Sequence, residues 1–426
     1  MEPAQEPYPL DVEAIRADFP ILDRKVGGDA TVPGEDEDDT TPLVYLDNAA
    51  TSQTPDQVVD TIADYYRSYN SNVHRGIHQL SQEASVAYEE AHDRVAEFVG
   101  AAGREEIVFT KNATEAENLV AYAWGLNEIG PGDNVVLTQM EHHASLVTWQ
   151  QTARKTGAEA RFIRVTDDGR LDMDHARELI DEDTAMVSAV HVSNTLGTVN
   201  PVAELADLAH DHDALIFVDG AQSVPHMPVD VREFDPDFFA FSGHKMCGPT
   251  GIGVLYGKER LLEEMEPYLY GGSMIRKVTF EETQWEDLPW KFEAGTPVIE
   301  QGIALHAAID YLEDVGMERV HEHESLLARY AYDRLSEFDD IEIYGPPGDE
   351  RAGLVSFNVD GVHAHDLSSI LNEHGVAIRA GDHCTQPLHD VLGAAASARA
   401  SFYVYNTREE IDALVEGVDD ARQLFA

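Results

Sequence analysis

From about residue 104 the chain alternates short β-rich runs with helix-length amphipathic stretches, and this rhythm constrains the fold more than any other feature. The runs cover 107–110, 134–138, 161–165, 186–192, 215–219 and 238–241. Neighbouring parallel strands need a crossover between them, and a helix supplies it. The pattern therefore predicts βαβ units around a mostly parallel sheet flanked by helices. Ligands of such sheets sit at the carboxyl ends of the strands. Thr114, His142, Asn194, Asp219 and Ser242-Gly243-His244-Lys245 all follow strands, and packing alone gives no reason for so many reactive side chains there.

At 426 residues the chain is too long for one small domain. A long helical stretch over 300–315 leads into a second, smaller α+β unit with elements near 341–344, 354–359, 366–374 and 376–379. It ends in a helix near 407–425. The expected division is an N-terminal segment over 1–40 that packs with the small domain, a large domain over 41–298, and a small C-terminal domain over 299–426. The segment contains amphipathic positions Val12, Ile15, Phe19, Ile21 and Leu22, then an acidic loop over 27–41 to which no chemistry is assigned.

The charge balance excludes several classes of partner. Against 29 basic residues stand 80 acidic ones, a net charge of −51 spread along the whole chain. Such a surface repels nucleic acid and anionic lipid. It suits a cytoplasm at very high salt, where the Debye length falls to roughly 3 Å and self-repulsion is screened. The only two cysteines, Cys247 and Cys384, exclude a disulfide scaffold and fit a reducing cytosol. No apolar run approaches the roughly 18 residues of a membrane span, and the acidic N-terminus is not a signal peptide. A cytoplasmic location is expected.

Asp219 closes one strand and Lys245 follows the next. Pyridoxal phosphate chemistry needs this combination: an amine to bond the cofactor's aldehyde, and an acid to hold its pyridine nitrogen protonated. Singly, the acid reads as a helix cap and the lysine as a surface charge. Together, with Ser242 and His244 as phosphate ligands, they point to a cofactor site. Thr114 and Glu117 read as a capping box, with Thr114 as N-cap, and the same helix terminus suits a phosphate. His142 is placed to stack on a ring and shuttle protons. Cys247 reads as small-residue packing. Cys384, after Gly381, belongs on a loop, where neighbouring His383 and Arg379 would help a thiol act as nucleophile. Arg399, on a buried strand, needs an anion, and a substrate carboxylate is a natural one. The remaining histidine pairs, His321/His323 and His363/His365, offer no ligand set, so no metal is expected.

Tyr45-Leu46-Asp47-Asn48-Ala49-Ala50, His74-Arg75-Gly76-Ile77-His78, Gln139-Met140-Glu141-His142-His143, Ser242-Gly243-His244-Lys245 with Gly248-Pro249-Thr250-Gly251, and Phe292-Glu293-Ala294-Gly295-Thr296-Pro297 occur in one order. In these motifs the chain resembles the class V aminotransferase superfamily of fold-type I pyridoxal phosphate enzymes, and within it the Suf-type, or group II, cysteine desulfurases. The resemblance implies conversion of L-cysteine to L-alanine with a persulfide left on Cys384, supplying sulfur for iron–sulfur cluster assembly through an acceptor protein of the Suf system. It implies that Lys245 binds the cofactor and removes the α-proton, that Asp219 pairs the ring nitrogen, that Gln222 contacts the ring hydroxyl and that His142 stacks. Thr114, Ser242 and His244 would hold the phosphate, with Thr296 reaching over from the second subunit of a homodimer. Asn194, Arg379, Arg399 and His74 are the implied substrate-binding residues. The stretch 271–290 matches a hairpin that marks the group. Asp382 departs from the family, which often has two histidines before the cysteine, and a carboxylate there disfavours a thiolate. Selenocysteine lyase, or another β-elimination at the same site, is the alternative activity. A non-catalytic scaffold of the same fold is a third reading, opposed by the intact Lys245, Asp219, His142 and Cys384.

Overall fold

The computed structural model describes residues 7–26 and 40–425; the acidic stretch 27–39 lies outside the described residues. Its centre is a seven-stranded sheet. In chain order the strands are β1 (Ile107–Thr110), β2 (Asn134–Thr138), β3 (Glu159–Ile163), β4 (Thr184–Val190), β5 (Leu215–Asp219), β6 (Phe238–Ser242) and β7 (Gly253–Gly257). Their spatial order is β1-β7-β6-β5-β4-β2-β3. Every pairing is parallel except the two made by β7. This is the expected α/β class, a large, mostly parallel sheet with helices on its faces.

The central strands read as unbroken apolar runs because both faces are covered. Phe217, Phe238, Phe239 and Phe241 are fully buried, each worth roughly 1.5–3 kcal/mol. Strands expected at 161–165 and 186–192 each begin and end two residues earlier, because Val165 and Val192 are apolar yet belong to loops, held by single bridges to Leu171 and Val199. The antiparallel β7 was not anticipated. It fits between β1 and β6 because Gly253 has no side chain: a Cβ there would lie 2.4 Å from the Asn112 Cα. That close approach sets helix α2 (Ala113–Val120) directly over the end of β1.

Helix α1 (Gln79–Val99) and helix α4 (Ile299–Val315) pack together beside this sheet. The next helix, α5 (Met317–Leu335), carries the chain from the first hydrophobic core into a second one. There an antiparallel sheet runs in the order β8-β9-β11-β10, with β8 Ile341–Tyr344, β9 Leu354–Val359, β10 Arg379–Gly381 and β11 Ser397–Ser401. Between β10 and β11 lies the short helix α6 (Gln386–Leu392). The last helix, α7 (Arg408–Phe425), turns Ile411, Leu414, Val415, Val418 and Ala421 onto this core at helical spacing.

Near the N-terminus, Val12, Ile15, Phe19 and Leu22 are buried as expected. Ile21 is not: it is 42% exposed, on the outer side of a single 3₁₀ turn. Arg16 bonds Glu410 at 2.8 Å, which ties this segment to α7. The stretch 271–290 contains an antiparallel hairpin, Ile275–Val278 against Thr283–Trp285. No helix among the described residues is long and apolar enough to cross a membrane.

Candidate active site

The carboxyl ends of the parallel strands open into one cavity of about 290 Å³. Thr114, His142, Asn194, Asp219, Gln222, Ser242, His244 and Lys245 line it from the side of the large sheet, and Arg379, Cys384 and Arg399 from β10, β11 and the loop between them. Two expected residues stand elsewhere. His74 lies 3.5 Å from Glu89 and packs its ring on Trp290, with centroids 4.5 Å apart. Thr296 is exposed on the loop before α4.

Burial sets the electrostatics. It pulls the Lys245 ammonium down to about 8; Asp219 opposes this and Arg399 adds to it. Burial raises the Asp219 carboxyl, against the Ala221 N–H that it accepts at 2.9 Å and the Lys245 charge. His142 is pulled down to about 3 by burial and then by the charge of Lys245, so its ring is neutral. Its Nδ1 accepts the Ala144 N–H at 3.1 Å, capping helix α3 (His143–Thr156). The single ring proton of the neutral imidazole therefore sits on Nε2. Gln222 donates to the Ala49 carbonyl at 2.6 Å.

One end of the cavity is built around the start of α2. Its N-cap is Asn112, whose side chain accepts the Glu115 N–H at 2.9 Å, so the expected capping box of Thr114 and Glu117 does not form. Thr114 lies instead inside the first turn. Glu117 is buried and accepts bonds from Ser145 and from Trp149 Nε1 at 3.0 Å. Asn112 wins because it stands directly where the extended chain turns helical, at φ −174°. Ser242 Oγ accepts the Ala113 N–H at 2.9 Å, and His244 Nδ1 lies 3.3 Å from Thr51 Oγ1. Burial, then Lys245, lowers His244 to about 4.

Cys384 is exposed, whereas Cys247 is buried and pushed by burial up to about 12. His383 and Cys384 occupy the left-handed region, at φ 49° and 59°, at a cost on the order of 1–3 kcal/mol each. Hydrogen bonds hold them there. Asn194 Nδ2 donates to the His383 carbonyl at 2.8 Å, and the His143 N–H donates to the Cys384 carbonyl at 2.8 Å. The Asp382 carboxylate accepts the Cys384 N–H at 3.0 Å. Past the thiol, the Gln386 N–H donates to His143 Nε2 at 3.1 Å, and Thr195 Oγ1 meets Thr385 Oγ1 at 2.8 Å. Burial and then the Arg399 charge take His383 down to about 2, so it is a neutral ring bonded to Ser397 Oγ at 3.0 Å. It supplies no cation to the thiol.

Arg379 and Arg399 face each other across β10 and β11. Burial pulls Arg399 down to about 10, with Asp47 opposing. The Asp47 carboxylate lies between them, receiving Arg379 Nε at 3.1 Å, Arg379 Nη2 at 3.0 Å and Arg399 Nη2 at 3.4 Å. Sequence reasoning singled out the motif around Asp47 without assigning this residue a task. Its partners lie more than 300 positions away, so no local signal existed. Glu141 was likewise passed over. It is fully buried beneath the cavity, accepting Thr138 Oγ1 at 2.6 Å and the Val190 N–H at 3.0 Å, and burial pushes it up to about 8.

These residues fit pyridoxal phosphate. An amine, a buried acid and a polar helix start with hydroxyl and imidazole groups that could hold a phosphate line one cavity. Asn194 Oδ1 and Arg399 Nε, both on cavity-lining residues, are buried without hydrogen-bond partners, a demand that a polar ligand would meet.

The chain belongs to the aminotransferase class-V family, which it matches over residues 44–414. Its relatives narrow the comparison. A cysteine desulfurase of Haloferax volcanii is 77% identical over 423 residues, 99% of each chain. The apo structure of a cysteine desulfurase from Thermococcus onnurineus NA1 superposes with a TM-score of 0.90 at 40% identity, covering 97% of this chain and 98% of the other. The S-sulfonic acid form of the cysteine desulfurase CsdA from Escherichia coli gives 0.88 at 37% identity, covering 98% and 99%.

Proposed function

We propose that the chain is a pyridoxal phosphate-dependent cysteine desulfurase of the Suf type, taking sulfur from L-cysteine onto Cys384 and releasing L-alanine. The observation that carries the reading is the meeting of Lys245 and Cys384 in one cavity, although one follows a strand of the large sheet and the other lies between two strands of the antiparallel sheet. The full-length likeness to cysteine desulfurases supports it.

When bound, the cofactor supplies an electron sink for the pair released at the substrate Cα. Lys245 holds it and, with its amine lowered to about 8, has enough neutral form near neutrality to take the α-proton. Asp219 holds the ring nitrogen, Gln222 the ring hydroxyl, and Thr114, Ser242 and His244 the phosphate. His142 stacks on the ring and, with its proton on Nε2, serves as a neutral donor. Arg399, Arg379 and Asn194 hold the substrate carboxylate. The Cys384 thiolate attacks the substrate sulfur, the carbon–sulfur bond breaks with its electron pair to carbon, and one proton added at Cβ and one returned to Cα by Lys245 complete alanine. The sulfur remains as a persulfide, and an acceptor protein of an iron–sulfur assembly system removes it. His74 and Thr296 lie off the cavity of their own chain, so their roles belong to a homodimer in which Thr296 completes the partner's phosphate seat. The protein works in a salt-rich cytoplasm.

The test is alanine and sulfide release from L-cysteine in molar salt, by wild type and by Cys384→Ser. The variant should still bind L-cysteine and change the cofactor spectrum, yet release no alanine, because a neutral hydroxyl is a weak nucleophile towards sulfur. Pyruvate and sulfide in place of alanine would favour an elimination-type lyase, and undiminished alanine release by Cys384→Ser would remove Cys384 from the reaction.

A further inference from the structure

Two guanidinium groups directly opposite each other on antiparallel strands repel, and the fold must neutralise them. Arg379 and Arg399 are such a pair. Asp47 is brought to them by backbone bonding: the Leu46 N–H donates to the Ala377 carbonyl at 2.9 Å, the Ser401 N–H donates to the Leu46 carbonyl at 2.8 Å, and Asp47 itself bridges to Ser401. Its grip is unequal. Arg379, which is half exposed, is held by two nitrogens, while buried Arg399 gives Asp47 one long contact at 3.4 Å. Arg399 Nη1 donates to the Asn194 carbonyl at 2.8 Å, and its Nε has no partner. The buried guanidinium thus keeps unused capacity for a second carboxylate.

We propose that Asp47 is a tethered stand-in for the substrate carboxylate, keeping small anions off the Arg379–Arg399 pair until an amino acid arrives. This rests on reading the cavity as an amino-acid site. A chain of net charge −51 suits concentrated salt, where long-range repulsion of anions is screened within about 3 Å. An unguarded arginine pair would then hold a halide by direct contact. A carboxylate fixed beside it offers paired hydrogen-bond acceptors at a high local concentration, which a spherical ion lacks. An incoming substrate carboxylate has the same geometry and gains further contacts from the rest of the amino acid, so it can take over Arg399.

The experiment measures L-cysteine affinity of the holoenzyme across a series of potassium chloride concentrations, with potassium fluoride at matched ionic strength as reference. KM for alanine release is one readout. The cofactor's absorbance change on binding L-cysteine, in a Cys384→Ser background, is the other. In Asp47→Asn the apparent affinity should fall with chloride, approaching about tenfold for a tenfold rise, the limit for one competing ion. Fluoride, more tightly hydrated, should compete less. Wild type and Asp47→Glu should respond far less to either salt. Asp47→Ser removes the same charge with a smaller side chain, so a misfolded amide variant does not decide the outcome. A wild type that makes no alanine from L-cysteine overturns the functional reading and this proposal together. A wild type that does, with both uncharged variants sharing its flat chloride response, overturns the role of Asp47 alone.

Discussion

Replacing Asp382 by asparagine separates two effects that this carboxylate has on the thiol loop. The side chain accepts the Cys384 N–H at 3.0 Å, and asparagine keeps that acceptor while removing the charge. The sulfur is three bonds from the same nitrogen, which puts it within about 6 Å of the carboxylate. Because Cys384 is exposed, a water-like dielectric applies, and a unit charge at about 6 Å is worth about 0.7 kcal/mol. That is worth about threefold in the rate of a reaction in which the sulfur attacks an electrophile. The assay is the iodoacetamide alkylation rate, and buried Cys247 is a silent background. Asp382→Asn should react about threefold faster than wild type at the lowest salt that keeps the fold intact. The difference should vanish in molar salt, where the Debye length is about 3 Å. Asp382→Ala also loses the turn bond, so it should show a further, salt-independent change. Equal rates for wild type and Asp382→Asn at low salt would refute the claim that this carboxylate slows the sulfur through its charge.

Borohydride reduction of the holoenzyme should fix the cofactor to Lys245, and peptide mapping that finds the adduct on another lysine would sink the assigned site. Thermal melts should rise steeply from low to molar salt, because repulsion within a −51 chain is screened; a flat midpoint would count against adaptation to salt. Glu141, with its carboxyl pushed up to about 8, binds its proton more tightly when folded than when unfolded. Its contribution to stability is therefore complete below the unfolded carboxyl's ordinary range and is lost as pH rises through about 8. Glu141→Gln should flatten the fall in melting temperature over that window, measured by calorimetry at a series of pH values.

Much of the sheet was legible because local composition carried it. Strands 107–110, 134–138 and 215–219 fall as read, each ending in a polar residue that marks where the chain leaves the sheet. Where a loop continued the apolar run, as at half-buried Val165 and buried Val192, the boundary slipped by two residues. An apolar run does not encode direction, and the antiparallel β7 depended on a close approach at Gly253 that only the folded chain reveals. The cavity's residues were legible because strand ends must converge. The Asn112 cap was missed in favour of a threonine two positions on. The clamp made by Asp47 depends on pairings between distant parts of the chain, and no spacing rule reaches so far.

The register of β10 against β11 decides what kinds of length change this region tolerates. Side chains alternate faces along a strand, so removing one residue inside β10 would turn Arg379 away from Arg399 and from Asp47. Residues added between the two strands, well clear of the pairing, would leave that alternation intact. Loop variation and strand variation are thus unequal experiments: the first alters how the thiol is presented, whereas a single-residue deletion in the second dismantles the carboxylate clamp in one step.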